Sequence, residues 1–100
     1  MYFITVFDKV EPSEKYGAEF GYQRTWGYYT EYETAANALH ENITDMHEGC
    51  YGYALIEKFG PGIIAHCEER QWFKWDKEQR GYFEIEEPEC VKHLVNFAIG

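Results

Sequence analysis

The hundred-residue chain has no apolar run of transmembrane length, no Gly-rich phosphate-binding loop, no GxSxG element and no CxxC knuckle. Each absence removes a class. Without the first, no helix of the chain is long enough to span a bilayer. Without the loops, the common nucleotide-binding and serine-hydrolase architectures have no anchor. Without CxxC knuckles, a standard zinc ribbon is ruled out. Positive charge is also scarce: 9 Lys and Arg stand against 18 Asp and Glu, a formal net charge of −9. Phosphate repels such a chain, so direct nucleic-acid binding is not expected. Its natural partners are neutral or basic surfaces, unless the charge serves solubility alone.

Three cysteines, Cys50, Cys67 and Cys90, are too few and odd in number for a disulfide framework. The opening MYFITVFDKV lacks the basic region and cleavage site of a signal peptide. Reduced thiols and a cytoplasmic location are therefore expected. The length suits one domain with one modest core. What the chain has in excess is aromatic bulk, with 9 Tyr, 7 Phe and 3 Trp making 19% of its residues. A core of this size cannot hold them all, so several should lie at the surface, where they serve as anchors for a partner.

The clearest local pattern is RQWFKWDKEQRGYFEIEE, Arg70 to Glu87. Alternation places Gln71, Phe73 and Trp75 on one side of a strand and Arg70, Trp72, Lys74 and Asp76 on the other. In the second strand Phe83 and Ile85 oppose Tyr82, Glu84 and Glu86. Matching the apolar sides sets Phe73 across from Phe83, with a loop from Asp76 to Arg80. Phe73, Trp75, Phe83 and Ile85 are then core. The same register puts Trp72 across from Glu84 and Lys74 across from Tyr82, on an outer face that another element or a partner must cover.

Elsewhere, Tyr2 to Val10 reads as a strand apolar on both faces, which suits an interior position. Glu11 to Gln23 lacks periodicity and reads as a surface loop holding Tyr16, Phe20 and Tyr22, either a lid over the sheet edge or a binding element. Arg24 to Thr30 is a second strand. Thr30 and Glu33 have capping-box spacing ahead of Tyr32, Ala35, Ala36, Leu39, Ile43 and Met46, a helical stripe that Gly49 should end. His40 on this helix reads as a boundary residue rather than a base. Tyr51 to Phe59 is a third strand, broken by Gly60-Pro61-Gly62, and Ile63 to Ala65 resume an extended course. Pro88 opens a short C-terminal helix with Val91, Leu94, Val95 and Ala98 as its apolar stripe, and the chain's end is expected to be docked. The expected fold is α+β: a mainly antiparallel sheet of four to five strands, one long helix on a face and a short C-terminal helix.

Two constellations could carry function. His47, Cys50, His66, Cys67, Cys90 and His93 are zinc-ligand types, weakly placed, and the alternative is small buried thiols with surface histidines. No cofactor is expected. A thiol nucleophile would need Cys67 beside His66 or Cys90 one turn from His93. The second constellation is a surface. Tyr16 and Phe20 sit among Glu11, Glu14 and Glu19, and Trp72, Lys74 and Tyr82 sit beside Glu84, Glu86, Glu87 and Glu89. Aromatic anchors ringed by carboxylates suit a basic protein groove. A homodimer through the hairpin edge or outer face also fits.

The opening MYFITVF, RTWGYY with its Ala-rich helix, YGYALIEK, RQWFKWD, GYFEIEEPE and the ending NFAIG resemble a family of short uncharacterised acidic proteins of gut Firmicutes and their phages or mobile elements. The resemblance implies a setting in which such proteins, anti-CRISPR proteins among them, inhibit host defence by occupying a nucleic-acid-binding surface. It implies no site residues. The expected function is a non-enzymatic binding protein with a protein partner. A metal-stabilised structural protein and a homodimeric housekeeping protein are the alternatives.

Overall fold

The structure, a computed structural model, describes residues 1–43, 45–62, 67–94 and 96–98. The α+β reading holds. Strands β1 (Tyr2–Phe7), β4 (Gln23–Tyr29), β5 (Tyr53–Lys58), β6 (Glu69–Asp76) and β7 (Gly81–Ile85) form one antiparallel sheet in the order β4-β1-β5-β6-β7. A small ribbon of β2 (Glu11–Ser13) and β3 (Gly17–Glu19) stands apart from it, and α1 (Tyr32–His40) follows β4. The Cα radius of gyration, 12.9 Å, fits the ~13 Å of a compact fold of this length.

Both faces of the central strands are apolar because both are covered. On one side Ile4, Val6, Ala54, Ile56, Phe73 and Tyr82 meet Ala35, Ala36 and Leu39 of α1 and Met46 of the 3-10 turn Met46–Gly49. The two alanines allow close approach: a large side chain there would hold the helix off the aromatic rings below. On the other side Phe7, Leu55 and Trp72 are packed under Val10, Ala18, Val91 and the half-buried Phe20, Leu94 and Phe97. That cover has little regular structure. It consists of the β2–β3 ribbon, the 3-10 turn Glu89–Val91 and the segment leading to Ala98.

The Arg70–Glu87 stretch is a hairpin, but its register differs by one residue from the expected one. Trp72 pairs with Ile85, Phe73 with Glu84, Lys74 with Phe83 and Trp75 with Tyr82. One slip exchanges the faces of the second strand: Tyr82 joins Phe73 and Trp75 beneath the helix, while Ile85 joins Trp72. The turn shows why. Asp76 Oδ1 accepts hydrogen bonds from the backbone N–H groups of Glu78 (2.9 Å) and Gln79 (3.1 Å), so Asp76 remains in the ladder and the loop is Lys77 to Arg80. Arg80, at φ 56°, makes the left-handed step that closes it. These amides hold the Asp76 carboxyl below its usual range.

Other boundaries shift too. The helix stops at His40, short of Gly49, and Ile43 and Met46 belong to the turns after it. Glu31 occupies the N-cap position with no side-chain cap bond, so the Thr30–Glu33 capping box does not form. The Glu11–Gln23 stretch is partly stranded and lies over the sheet through Ala18 and Phe20. After Pro88 there is a three-residue 3-10 turn, where a longer helix was expected, and Val95 lies outside the described residues. The extended course expected for Ile63 to Ala65 falls outside them as well. The helix end closes the start of β7: a Cβ on Gly81 would lie 1.9 Å from the His40 carbonyl oxygen, and the His40 ring stacks on Phe83 at 4.9 Å.

Candidate docking surface

The hairpin face expected to anchor a partner is not available. Trp72 is 1% exposed and Tyr82 fully buried. Trp72 lies between Phe7 (5.2 Å) and the edge of Phe97 (5.5 Å), and the Tyr82 hydroxyl donates to the Tyr51 carbonyl at 2.7 Å. Burial pushes the Tyr82 hydroxyl pKa well above its ordinary value. Phe20 is half-buried against Phe7 and Phe97, and Glu87 is joined to Arg70. The rest are exposed but scattered. Lys74 lies over the Tyr53 ring, Glu86 is near the end of β7, and Glu84 is bonded to His40 Nε2 on the helix side at 2.8 Å. Tyr16 stands at the tip of the β2–β3 ribbon. They do not form one surface.

The zinc-ligand types are likewise separated by the sheet. His47 stacks on Trp75 at 3.8 Å on the helix side, with exposed Cys50 at the end of the same turn. Cys67, Cys90 and His93 lie on the opposite side, Cys67 bonded to Glu57, Cys90 in the second core and His93 against Gly17. His66 is outside the described residues. Among the described residues no three His, Cys, Asp or Glu are grouped to hold a metal. Burial and the nearby Glu57 raise the Cys67 pKa, which disfavours the thiolate a nucleophile needs.

Glu57 was not singled out from the sequence, yet it organises one side of the molecule. It is fully buried, and its carboxylate accepts the backbone N–H groups of Phe97 (2.9 Å) and Ala98 (2.8 Å). Arg70, its cross-strand partner, donates to the carbonyls of Leu94 (2.7 Å) and Val91 (3.1 Å) and to Glu87. Burial raises the Glu57 pKa above 4.5, against the lowering effect of the two amides, Arg70 and Cys67. The signal was present: alternation in YALIEK puts Glu57 on the side of Tyr53 and Leu55, opposite Arg70. This is a structural clasp, not a site open to solvent.

The open surface is at the other margin. Between Arg24 and Lys58 the chain contains no Lys or Arg, and Glu31, Glu33, Glu41, Asp45 and Glu48 are all exposed there. The cations elsewhere are mostly occupied: Lys9 by Glu11 and Glu19, Lys58 by Glu68, Arg70 by Glu87 and Lys92 by Glu89. Lys15, Arg24 and Lys74 lie over Tyr16, Trp26 and Tyr53. On this open face α1 and the turns after it thus contribute carboxylates and no Lys or Arg, while Arg80 adjoins the helix end, next to Gly81 at the His40 carbonyl. Burial, and then Glu84 of β7 and Glu33, raise the Tyr32 pKa.

That face is bordered by apolar surface. β4 is a terminal strand, and between it and the chain following α1 lies a cleft of about 260 Å³ lined by Ile4, Trp26, Gly27, Tyr29, Ala38, Ile43 and Met46. Ile43 is 60% exposed at its edge. Ile43 falls on the expected helical stripe, but the helix ends before it. No protein-family model, no curated protein and no solved structure matches this chain.

Proposed function

We propose that the chain is a non-enzymatic binding protein that docks on a basic surface of a protein partner. By occupying such a surface it inhibits a nucleic-acid-processing or defence system, in the manner of an anti-CRISPR protein. The observation that carries this reading is the exposed anionic face of Glu31, Glu33, Glu41, Asp45 and Glu48, within a stretch free of Lys and Arg. Carboxylates on a stretch with no Lys or Arg of its own steer a cationic partner and reject anionic ones. Exposed apolar groups beside them supply the area that charge alone does not. A surface that normally holds phosphates has this complementary character. The resemblance to small acidic proteins of phages and mobile elements points the same way.

The test is inhibition of purified Firmicutes nucleases and CRISPR effectors by three proteins. They are the wild type, a face variant (Glu33→Lys, Glu41→Lys, Glu48→Lys) and a ribbon variant of equal charge change (Glu11→Lys, Glu14→Lys, Glu19→Lys). Inhibition that nucleic acid relieves, lost in the face variant and kept in the ribbon variant, is the expected result. Equal loss in both would reduce the effect to net charge. Inhibition of no enzyme in the panel would refute the reading.

A further inference from the structure

The two ends of the sheet are finished differently. At β7 the helix end lies on the strand, with the His40 carbonyl pressed on Gly81 and the His40 ring on Phe83. At β4 no described element pairs with the outer edge, and a Cβ built on Gly27 meets nothing within 4 Å. Register along β1 and β4 is broken between Ile4 and Thr5, where Ile4 pairs with Gly27 and Thr5 with Thr25, leaving Trp26 as a bulge. A bulge interrupts the row of free backbone groups and guards an edge against indiscriminate strand addition. It leaves a short regular stretch, Gly27 to Tyr29, directly beside the cleft.

We propose that this edge and cleft receive a short extended segment of the basic partner, which pairs with Gly27 to Tyr29 and places one apolar side chain over Ile43 and Met46. Its flanking Lys or Arg residues face Glu41 and Asp45. This rests on the reading that the chain docks on a basic protein, and names the form in which that partner binds. Strand addition supplies main-chain hydrogen bonds, while a pocket and charges select the sequence. Glu41 and Asp45 lie two residues to either side of Ile43, and both are exposed. A second copy of the chain is a poor occupant, since each copy carries −9 and would bring its own carboxylates to the same rim. The cleft is too small for a helix, whose diameter with side chains is about 10–12 Å, but admits one aliphatic side chain.

The probes are synthetic peptides with alternating residues, Lys-Val-Lys-Leu-Lys-Val-Lys and its counterparts with Gln or Glu in place of Lys, titrated into the labelled full chain and followed by backbone amide NMR. Expected is saturable binding of the Lys peptide with shifts centred on Gly27 to Tyr29 and Ile43, and none with the Glu peptide. Ile43→Asp and Gly27→Phe should each weaken it by at least about tenfold. Ile43 is 60% exposed and Gly27 faces open space, so neither substitution disturbs the core, and unchanged spectra elsewhere verify this. Shifts confined to Glu33, Glu41 and Glu48, with β4 silent, would overturn the edge proposal and leave the anionic-face reading standing. Equal binding of the Gln peptide would overturn the charge requirement and count against that reading as well. Absence of binding at millimolar peptide would refute the edge proposal outright.

Discussion

The two faces of the sheet are sealed by different means. The helix side is closed by periodicity: Ala35, Ala36 and Leu39 recur at helical spacing and pack in one cluster with Ile4, Val6 and Ile56. The other side is closed by segments with little regular structure, held by polar bonds from two side chains, the buried Glu57 and the half-buried Arg70. Hydrophobic contact alone is non-directional and does not orient an irregular segment. A carboxylate that accepts two successive backbone N–H groups does so, and it also satisfies donors that burial would otherwise leave unpaired.

The largest way to break the comparison is Trp72→Ala. Deleting an indole packed on Phe7, Phe97 and Leu55 should cost about 3–5 kcal/mol in urea unfolding. Its Nε1 has no hydrogen-bond partner among the described residues, so the loss is one of packing and Trp72→Phe should recover most of it. A loss below 1 kcal/mol for Trp72→Ala would mean that the C-terminal cover does not rest on this ring.

That ring also shows where sequence reading stops. Short apolar runs rich in β-branched and aromatic residues, YFITVF and YALIEK, and the pattern of RQWFKWD mark the strands and the α+β class. Alternation could not choose a register for a hairpin with large side chains on both faces, since Phe83 with Ile85 and Tyr82 alone are equally good partners for Phe73 and Trp75. The choice was made by Asp76 capping the turn and by the cover over Trp72, and that cover has no periodicity to detect. The candidate surface was legible as chemistry, aromatic residues beside carboxylates, but not as a place. Ile43 has helical spacing with Leu39 and Ala36, yet the helix ends at His40 and leaves it 60% exposed.

Glu57 tests the polar half of the comparison. Glu57→Ala should cost about 3 kcal/mol, because it leaves the Phe97 and Ala98 amides without their acceptor and empties the space of a fully buried side chain. Hydrogen exchange should accelerate at Phe97 and Ala98 before it does in α1; uniform acceleration would show that the clasp has no separate role. The pH dependence has a definite sign. Burial raises the folded-state pKa of Glu57 above its ordinary 4.5, so the folded state holds the proton more tightly than the unfolded chain. Its contribution is therefore complete below the unfolded pKa and declines as pH rises through the folded one. Glu57→Gln removes that titration, so its penalty should shrink as pH rises through this window. A growing penalty would reverse the assignment.

On the helix side the most exacting contact is at Gly81. Ala there would place a methyl 1.9 Å from the His40 carbonyl oxygen, a backbone atom that yields only if the helix end shifts. A loss of about 1–3 kcal/mol is expected, with changed near-ultraviolet signals from the His40–Phe83 margin. Full stability would show that α1 is free to slide on β7, and that periodicity alone does not position it.

The smallest effect is expected where that side is open, at Gly27. Its φ is not in the left-handed region and no atom of the described residues lies within 4 Å of an added Cβ, so Val is accommodated without strain. Glycine in a strand carries a large conformational entropy that folding must overcome, and a β-branched side chain reduces it while packing along the pleat. Gly27→Val should therefore stabilise the chain by about 0.5–1 kcal/mol. The same substitution narrows the cleft beside Ile43, so it should raise the unfolding midpoint while weakening the Lys peptide. A residue that lowers stability yet keeps an edge accessible is the pattern expected of a binding margin. If Val at Gly27 left peptide binding unchanged, the glycine would be only an unfilled position on an idle edge.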